Sequence, residues 1–124
     1  MSSTSNSSLL LQAQAGDAES LGLLLKNYFR YLNTLSLGHL DERIRVRVSA
    51  SDIVQETLLA AHRDFQFFVG KSLPEFTGWL RKILFNNLAR AIEVHLLAAK
   101  RDVRRQRPIE NGVSDDSNLP KDGL

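Results

Sequence analysis

The longest amphipathic pattern in the chain occupies residues 76–107. Apolar residues recur there at gaps of three and four, which is the period of one face of a helix. No proline interrupts the pattern before Pro108, so it predicts a helix of about thirty residues, roughly 45 Å long at ~1.5 Å per residue. The predicted inner face consists of Phe76, Leu80, Ile83, Leu84, Asn87, Leu88, Ala91, Ile92, His95 and Ala99.

The other side of this helix is polar and becomes basic toward its end. At ~100° per residue, one sector collects an indole, an amide and several cations. Single-stranded nucleic acid is bound by such a mixture, because cations meet phosphates and planar groups meet bases. A solvated charged face has the same composition, and both interpretations stay open. The sector holds Trp79, Lys82, Asn86, Arg90, Glu93, Lys100 and Arg104.

Shorter patterns lie in the first third of the chain. Residues 1–8 are serine-rich and predicted to be disordered, and residues 9–15 are predicted to form a short helix that stops at Gly16. Asp17 is a good N-cap for a helix over about residues 18–40. The inner face of that helix is Leu21, Leu24, Leu25, Tyr28, Leu32 and Leu35, and Tyr28, Phe29 and Tyr31 are interpreted as aromatics in or beside the core.

Residues 39–48 combine histidine, arginines and β-branched residues. Ile44, Val46 and Val48 alternate with arginines, which is a strand pattern. A single strand would have nothing to pair with, so we predict an extended loop. Its arginines are interpreted as solvated charge, with phosphate contact as the alternative.

A second well-defined helix is predicted from Ser49 to about Phe65. Ser49 and Asp52 form a capping motif with negative charge in the first turn. Leu59 is an apolar residue on the polar side, which is either an ordinary exposed leucine or part of a protein-binding face. The inner residues are Val54, Leu58, Ala61 and Phe65, and the outer ones are Asp52, Gln55, Glu56, Leu59, His62 and Arg63.

These elements predict an all-α domain over residues 9–107. Residues 66–74 form a turn between the two best helices, punctuated by Gly70 and Pro74. Residues 108–124 are rich in Gly, Asn, Asp and Ser and are interpreted as a flexible tail or linker. We therefore expect a compact bundle of three or four helices with one long C-terminal helix.

The charge of the chain is unevenly distributed. The formal net charge is only +2 over 124 residues, but residues 81–107 hold eight Lys or Arg and two acids. Residues 108–124 hold one Lys and four acids. The small net charge therefore conceals a basic patch of the kind that binds nucleic acid.

The sequence offers no catalytic constellation. There is no cysteine, which excludes disulfides and thiolate sites and fits a cytoplasmic protein. The N-terminus lacks a signal-peptide pattern and no apolar run is long enough to span a membrane. His39, His62 and His95 lie far apart, and Asp52 and Glu56 share a helix face rather than a visible cleft. We expect no enzyme activity, cofactor, metal, small-molecule substrate or membrane partner.

Two segments carry a family resemblance. Residues 52–68, DIVQETLLAAHRDFQFF, are similar to a D-x-x-Q-E-x-F segment, and residues 76–90, FTGWLRKILFNNLAR, to an F-x-x-W-L-x-x-I-x-x-N segment. A turn containing Phe-x-Gly joins them, and residues 14–32 look like the preceding helices. In this order they resemble region 2 of bacterial sigma factors of the extracytoplasmic-function group, over about residues 9–107.

The resemblance implies an all-helical domain that binds core RNA polymerase and the −10 promoter element. It assigns binding of the clamp coiled coil of the large polymerase subunit to Asp52, Gln55, Glu56 and Leu59. It assigns capture of a base flipped from the non-template strand to the turn over residues 67–72, supported by Asn86. The residues implied in DNA binding are Phe67, Phe68, Gly70, Lys71, Ser72, Trp79, Lys82, Asn86, Arg90, Lys100, Arg101, Arg104 and Arg105.

The chain departs from the family pattern in two places. Members normally carry a second, helix-turn-helix domain for the −35 element, and this sequence stops where its linker would begin, so the chain is either a fragment or a reduced factor. Val69 stands where a polar residue is common, which bears on the base captured. The competing interpretations are a helical module that binds a regulator such as an anti-sigma protein, and an accessory of an RNA-associated enzyme.

Overall fold

The computed structural model describes the backbone of residues 5–106 and the side chains of residues 5–102. Within that part the chain is entirely helical, with six α-helices and no strand, which confirms the all-α class. The count exceeds the predicted three or four. The helices are α1 (Asn6–Gln14), α2 (Ala18–Asn27), α3 (Phe29–His39), α4 (Glu42–Arg45), α5 (Ala50–Asp64) and α6 (Leu73–Gln106), with a 3₁₀ turn at Phe65–Phe67.

Helix α1 begins three residues earlier than predicted. The Ser5 hydroxyl accepts a hydrogen bond from the Ser8 amide at 3.1 Å and so caps the helix. Residues 6–8 are therefore helical, and the prediction of disorder up to Ser8 is wrong for them. A serine-rich segment favours disorder by composition, but serine is also a preferred N-cap.

The turn between α1 and α2 has the glycine and the helix cap that the sequence predicted. Gly16 has a φ of 105°, a left-handed value that favours glycine. The Asp17 carboxylate then accepts hydrogen bonds from the amides of Glu19 and Ser20, which confirms the predicted cap. The hydroxyl of Ser20 also donates to Asp17, and these hydrogen bonds lower the pKa of the Asp17 carboxyl.

The helix predicted over residues 18–40 is interrupted at Tyr28. The Tyr28 amide donates to the Leu25 carbonyl at 3.0 Å, a tighter turn than an α-helix makes. The Tyr28 hydroxyl lies 2.7 Å from the Thr77 hydroxyl, and its ring meets the edge of Phe76. These contacts are with α6, so the local pattern of residues 18–40 did not reveal the interruption.

Residues 39–48 are not the extended loop that the sequence predicted. They contain the single-turn helix α4, capped by the Asp41 carboxylate, which accepts from the Ile44 amide at 3.1 Å. The Val48 amide donates to the Ile44 carbonyl, so backbone groups are paired locally. A helical turn pairs these backbone groups within the segment itself. The segment is therefore helical in part, although its alternating sequence suggested an extended chain.

Helices α5 and α6 pack against each other and together supply nearly half of the buried core residues. Ser49 caps α5 by accepting from the Asp52 amide at 3.3 Å, as predicted. Between the helices the Asn87 amide donates to the buried Thr57 hydroxyl at 3.1 Å. The fully buried residues include Leu24, Leu32, Leu40, Val54, Ala61, Phe76, Leu80 and Leu84.

Helix α6 spans 34 residues, but only its first half is buried as predicted. It begins at Leu73 rather than Phe76, and Pro74 lies in its first turn, where proline costs no hydrogen bond. Burial stops at Leu88, and the predicted inner positions Ala91, Ile92, His95 and Ala99 are only partly buried. No helix in the described range is long and apolar enough to cross a membrane.

Candidate binding surfaces

The outer face of α5 presents four residues in one exposed strip. Asp52, Gln55, Glu56 and Leu59 all point to solvent, while Ile53, Val54 and Thr57 are buried behind them. Their spacings of three and four residues explain the shared face. Leu59 is 71% exposed although it is apolar. The strip therefore combines two carboxylates, one amide and one accessible apolar side chain.

An apolar groove borders this strip on the side of α2 and α3. It has a volume of about 460 Å³ and is formed mainly by Leu25, Phe29, Leu58 and Leu59. Lys26 and His62 lie among its lining residues, as do Gly22 and Gln55. The contribution of α2 to this groove was not predicted, because nothing in the local sequence pattern shows that α2 lies beside α5.

A more polar groove lies on the other side of the strip, between α5 and α6. Glu56 and Leu59 line it together with Arg63, Asn86 and Arg90. Asn86 and Arg90 are exposed, and they are one turn apart on α6. The structure thus brings part of the predicted polymerase-binding set next to part of the predicted DNA-binding set.

The 67–72 turn is held by one carboxylate and one amide. The Glu75 carboxylate accepts hydrogen bonds from the amides of Lys71 and Ser72 at 2.9 and 3.1 Å, and the Glu75 amide donates to the Ser72 hydroxyl. This is a capping box at the start of α6. From α1, the Gln14 side chain donates to the Gly70 carbonyl at 2.7 Å. The backbone of the turn is therefore fixed from both sides.

The same contacts favour the ionised form of the Glu75 carboxyl. The amide of Lys71, followed by the amide and hydroxyl of Ser72, lowers the pKa of the Glu75 carboxyl, because each hydrogen bond favours the ionised form. The sequence motif S-x-x-E at residues 72–75 could have revealed this capping box, but the proline between its ends suggested a turn instead.

A cluster of aromatic side chains packs beside the turn. The rings of Phe65, Phe68, Phe76 and Trp79 contact one another, with centroid separations from 5.2 to 6.3 Å. Trp79 is partly buried and packs against the core, so its main contacts are structural. Phe67 is 68% exposed and Val69 is 92% exposed. The accessible apolar groups of the turn are therefore Phe67 and Val69 rather than Trp79 or Phe68.

Gly70 is in tight contact with this cluster. A Cβ atom at Gly70 would lie 2.7 Å from Cζ of Phe68 and 3.2 Å from Cβ of Glu75. Only glycine fits beside the Phe68 ring in this arrangement. Packing therefore accounts for glycine at this position, and the implied role of Gly70 in DNA binding stays a prediction.

Asn86 lies on α6, about two helical turns beyond the ring of Trp79 in the aromatic cluster. It lies seven residues beyond Trp79, which packs on Phe68, and seven residues of helix correspond to about 10 Å. Its groove neighbours are Arg63 and Arg90. No residue of the 67–72 turn lines this groove, and the expectation that Asn86 supports the turn in capturing a base stays a prediction.

The cations of α6 vary in their surroundings. Lys82, Arg90 and Arg101 are exposed and Lys100 is partly buried. Arg104 and Arg105 lie in α6, but their side chains are outside the described set, as is all of Arg107. Arg81 is engaged: it donates to the Tyr31 hydroxyl at 2.9 Å and lies 5.4 Å from the Phe85 ring centroid.

The three histidines lie on different helices, His39 on α3, His62 on α5 and His95 on α6. No three His, Asp or Glu residues among residues 5–102 are grouped so as to hold a metal ion. His39 packs on Phe85, and its Nδ1 lies 2.9 Å from the Leu35 carbonyl. His95 lines a groove with Asp52 and Arg90.

Comparison with protein-family models, with curated proteins and with solved structures finds no match to this chain.

Proposed function

We propose that this chain is a promoter-recognition domain of a bacterial sigma factor, which binds core RNA polymerase and the −10 element and promotes DNA melting at transcription initiation. The observation that carries the proposal is the exposed strip of Asp52, Gln55, Glu56 and Leu59 on α5. Such a role implies action in the bacterial cytoplasm. The family resemblance of residues 52–90 suggests the partner, and the geometry supports a binding role.

The strip has the chemistry of a protein-binding face. Leu59 is held out in solvent, and full burial of a leucine under a partner contributes about 1.5–3 kcal/mol. Asp52 and Glu56 on the same face favour a partner with basic side chains. In this proposal the strip binds the clamp coiled coil of the large polymerase subunit.

The 67–72 turn supports the reading of a flipped base. Unpairing and flipping a base costs a few kcal/mol, and aromatic stacking returns ~1–3 kcal/mol per base. Phe67 is the exposed aromatic of the turn, and Lys71 adds an exposed cation beside it. A fixed turn limits the entropy lost on binding, since Gln14 and Glu75 already hold its backbone.

Phosphate contacts in this proposal come from the cations of α6. Lys82, Arg90, Lys100 and Arg101 lie along α6, and Arg104 and Arg105 continue the same helix. Contacts to phosphate hold the strand in register but carry little sequence information. Specificity therefore falls to the turn and to Asn86.

Binding to single-stranded oligonucleotides tests the DNA part of the proposal. A preferred non-template −10 sequence, selected from a random single-stranded pool, is compared with its scrambled version by fluorescence anisotropy. We expect weak binding with preference for the selected sequence and almost none to duplex DNA. Replacing Arg104 and Arg105 by alanine should weaken binding to both sequences alike. It should also reduce the slope of log affinity against log salt concentration by roughly one unit per lost contact. Equal affinity for selected and scrambled strands would exclude sequence reading by this domain.

A second candidate function is a helical module that binds a regulatory protein without recognising DNA. The apolar groove of Leu25, Phe29, Leu58 and Leu59 favours it, because such a groove accepts an apolar side chain of a partner helix. The two candidates differ in the oligonucleotide experiment: the module binds its partner through the groove and shows no sequence preference for single strands.

A further inference from the structure

The distal half of α6 exposes apolar residues that the bundle does not cover. Beyond Leu88, Val94 is 60% exposed and Leu97 is 49% exposed. Arg90 precedes this pair on the same helix face and Arg101 follows it, and both arginines are exposed. At ~100° per residue all four fall within about 60° of the helix circumference. We call Arg90, Val94, Leu97 and Arg101 the distal stripe.

The distal stripe has the order cation, apolar, apolar, cation. Its arginines have no ion-pair partner among the described residues, whose ion pairs join Arg43 to Asp41, Arg47 to Asp102 and Arg63 to Asp64. An occupant must therefore supply carboxylates at the two ends and an apolar group between them. A second copy does not fit, because antiparallel pairing of Val94 with Leu97 opposes Arg90 to Arg101. Phosphates alone would leave the two apolar side chains uncovered.

The chain itself carries a segment with the complementary order. Residues 107–124 follow directly after α6, and residues 108–124 include four acids and one lysine. Glu110, Val113 and Asp115 stand in the order acid, apolar, acid. Pro108 cannot continue the helix, so the chain can reverse there.

The lengths of the two segments agree. Arg90 and Arg101 are eleven residues apart, which is about 16 Å along a helix at ~1.5 Å per residue. Glu110 and Asp115 are five residues apart, which is also about 16 Å in an extended chain at ~3.3 Å per residue. If Glu110 is opposite Arg101, then Val113 lies about 10 Å back along the helix, at the level of Val94.

Reach is sufficient for this return. Arg101 lies five residues before the end of α6, or about 7 Å, and the four residues 107–110 extend to about 13 Å. Tethering also gives the segment an effective concentration in the millimolar range, so weak contacts suffice.

We propose that the acidic segment 108–124 binds back onto the distal stripe of α6, with Glu110 at Arg101, Val113 at Val94 and Leu97, and Asp115 at Arg90. The contact is intramolecular and depends on salt, because its ends are charge pairs. One consequence rests on the proposed function: the segment competes with nucleic acid for Arg90 and Arg101.

Paramagnetic relaxation tests the contact in the full chain. The absence of native cysteine lets Ser114→Cys carry a single nitroxide label. We expect broadening of the amide signals of Val94 and Leu97, and loss of that broadening at 1 M salt, where the screening length is about 3 Å. Glu110→Lys with Asp115→Lys should abolish the broadening, whereas Asp122→Lys, the matched control, should leave it.

Exchanging the charges of Arg101 and Glu110 tests whether these two residues contact each other. Arg101→Glu should weaken the broadening, and Glu110→Arg in the same chain should restore it. Mixing spin-labelled chain with separately isotope-labelled chain should give none, because the contact lies within one molecule. Broadening that survives the lysine variants, that appears in the mixed sample or that is absent at low salt would overturn the proposal. This readout involves no nucleic acid, so its failure is distinguishable from failure of the promoter-binding proposal.

Discussion

Replacing Gly70 by alanine tests how tightly the 67–72 turn is built. The added Cβ would lie 2.7 Å from Cζ and 3.1 Å from Cε1 of Phe68, distances at which one group must move. The Phe68 ring cannot move freely, because it packs on Phe65, Phe76 and Trp79. The new methyl group therefore displaces either a ring of the aromatic cluster or the backbone of the turn.

The expected loss follows from three terms. Overpacking of a well-packed site costs about 1–3 kcal/mol, and each aromatic contact given up costs about 0.5–1.5 kcal/mol. Alanine restricts the unfolded chain and returns about 0.4–1 kcal/mol. The net destabilisation is then at least about 0.5 kcal/mol, and at roughly 4 °C per kcal/mol Tm should fall by about 2 °C or more.

Thermal unfolding followed by circular dichroism measures this change, with Gly78→Ala as the matched control. Gly78 lies in α6, the helix that follows the turn, and a Cβ there meets no other group within 4 Å. That substitution should raise stability by about 0.5–1 kcal/mol, because alanine is the better helix former. If Gly70→Ala raised Tm as Gly78→Ala does, the turn would not be packed as we describe and the argument would fail.

Three further outcomes are expected. The pKa of Glu75 is lowered by the amide of Lys71, so its contribution to stability is present above the unfolded pKa and is lost as pH falls through the folded pKa. Urea midpoints of wild type and Glu75→Gln should therefore converge as pH is lowered from 7 to about 3; a constant gap would contradict the assignment. Thr57→Val leaves the buried Asn87 amide without its acceptor and should cost about 1–3 kcal/mol in urea unfolding, whereas Thr57→Val with Asn87→Leu should cost less than the two single changes together; additive losses would show that the pair is not coupled. In oligonucleotide binding, Asn86→Ala should cost ~1–3 kcal/mol mainly on the preferred sequence; an equal loss on the scrambled sequence would mean that Asn86 does not read a base.

The sequence predicted those features that depend on local periodicity and capping. The two best helices, the Asp17 and Ser49 caps and the inner faces around Val54 and Leu84 all follow from spacing within about one helical turn. The shared exposed face of Asp52 and Leu59 follows from the same spacing.

The sequence did not predict features that depend on distant contacts. Tyr28, where the helix is interrupted, contacts Thr77 of α6, and the groove beside Leu59 is completed by Leu25 of α2. The early end of burial on α6 depends on how far the shorter helices extend beside it. The wrong prediction of an extended loop over residues 39–48 has a different cause, since it overlooked Asp41 as the N-cap of a short helix.

Binding to core RNA polymerase tests the central claim most directly. The dissociation constant of the full chain for purified core enzyme is measured alongside Gln55→Ala with Leu59→Ala, and the melting temperature of each protein is recorded. The account predicts saturable binding by the wild type, clear weakening in the double variant and a nearly unchanged melting temperature, because both side chains are exposed. Absence of binding by the wild type, or equal binding by the double variant, would contradict the assignment of this α5 face to the polymerase.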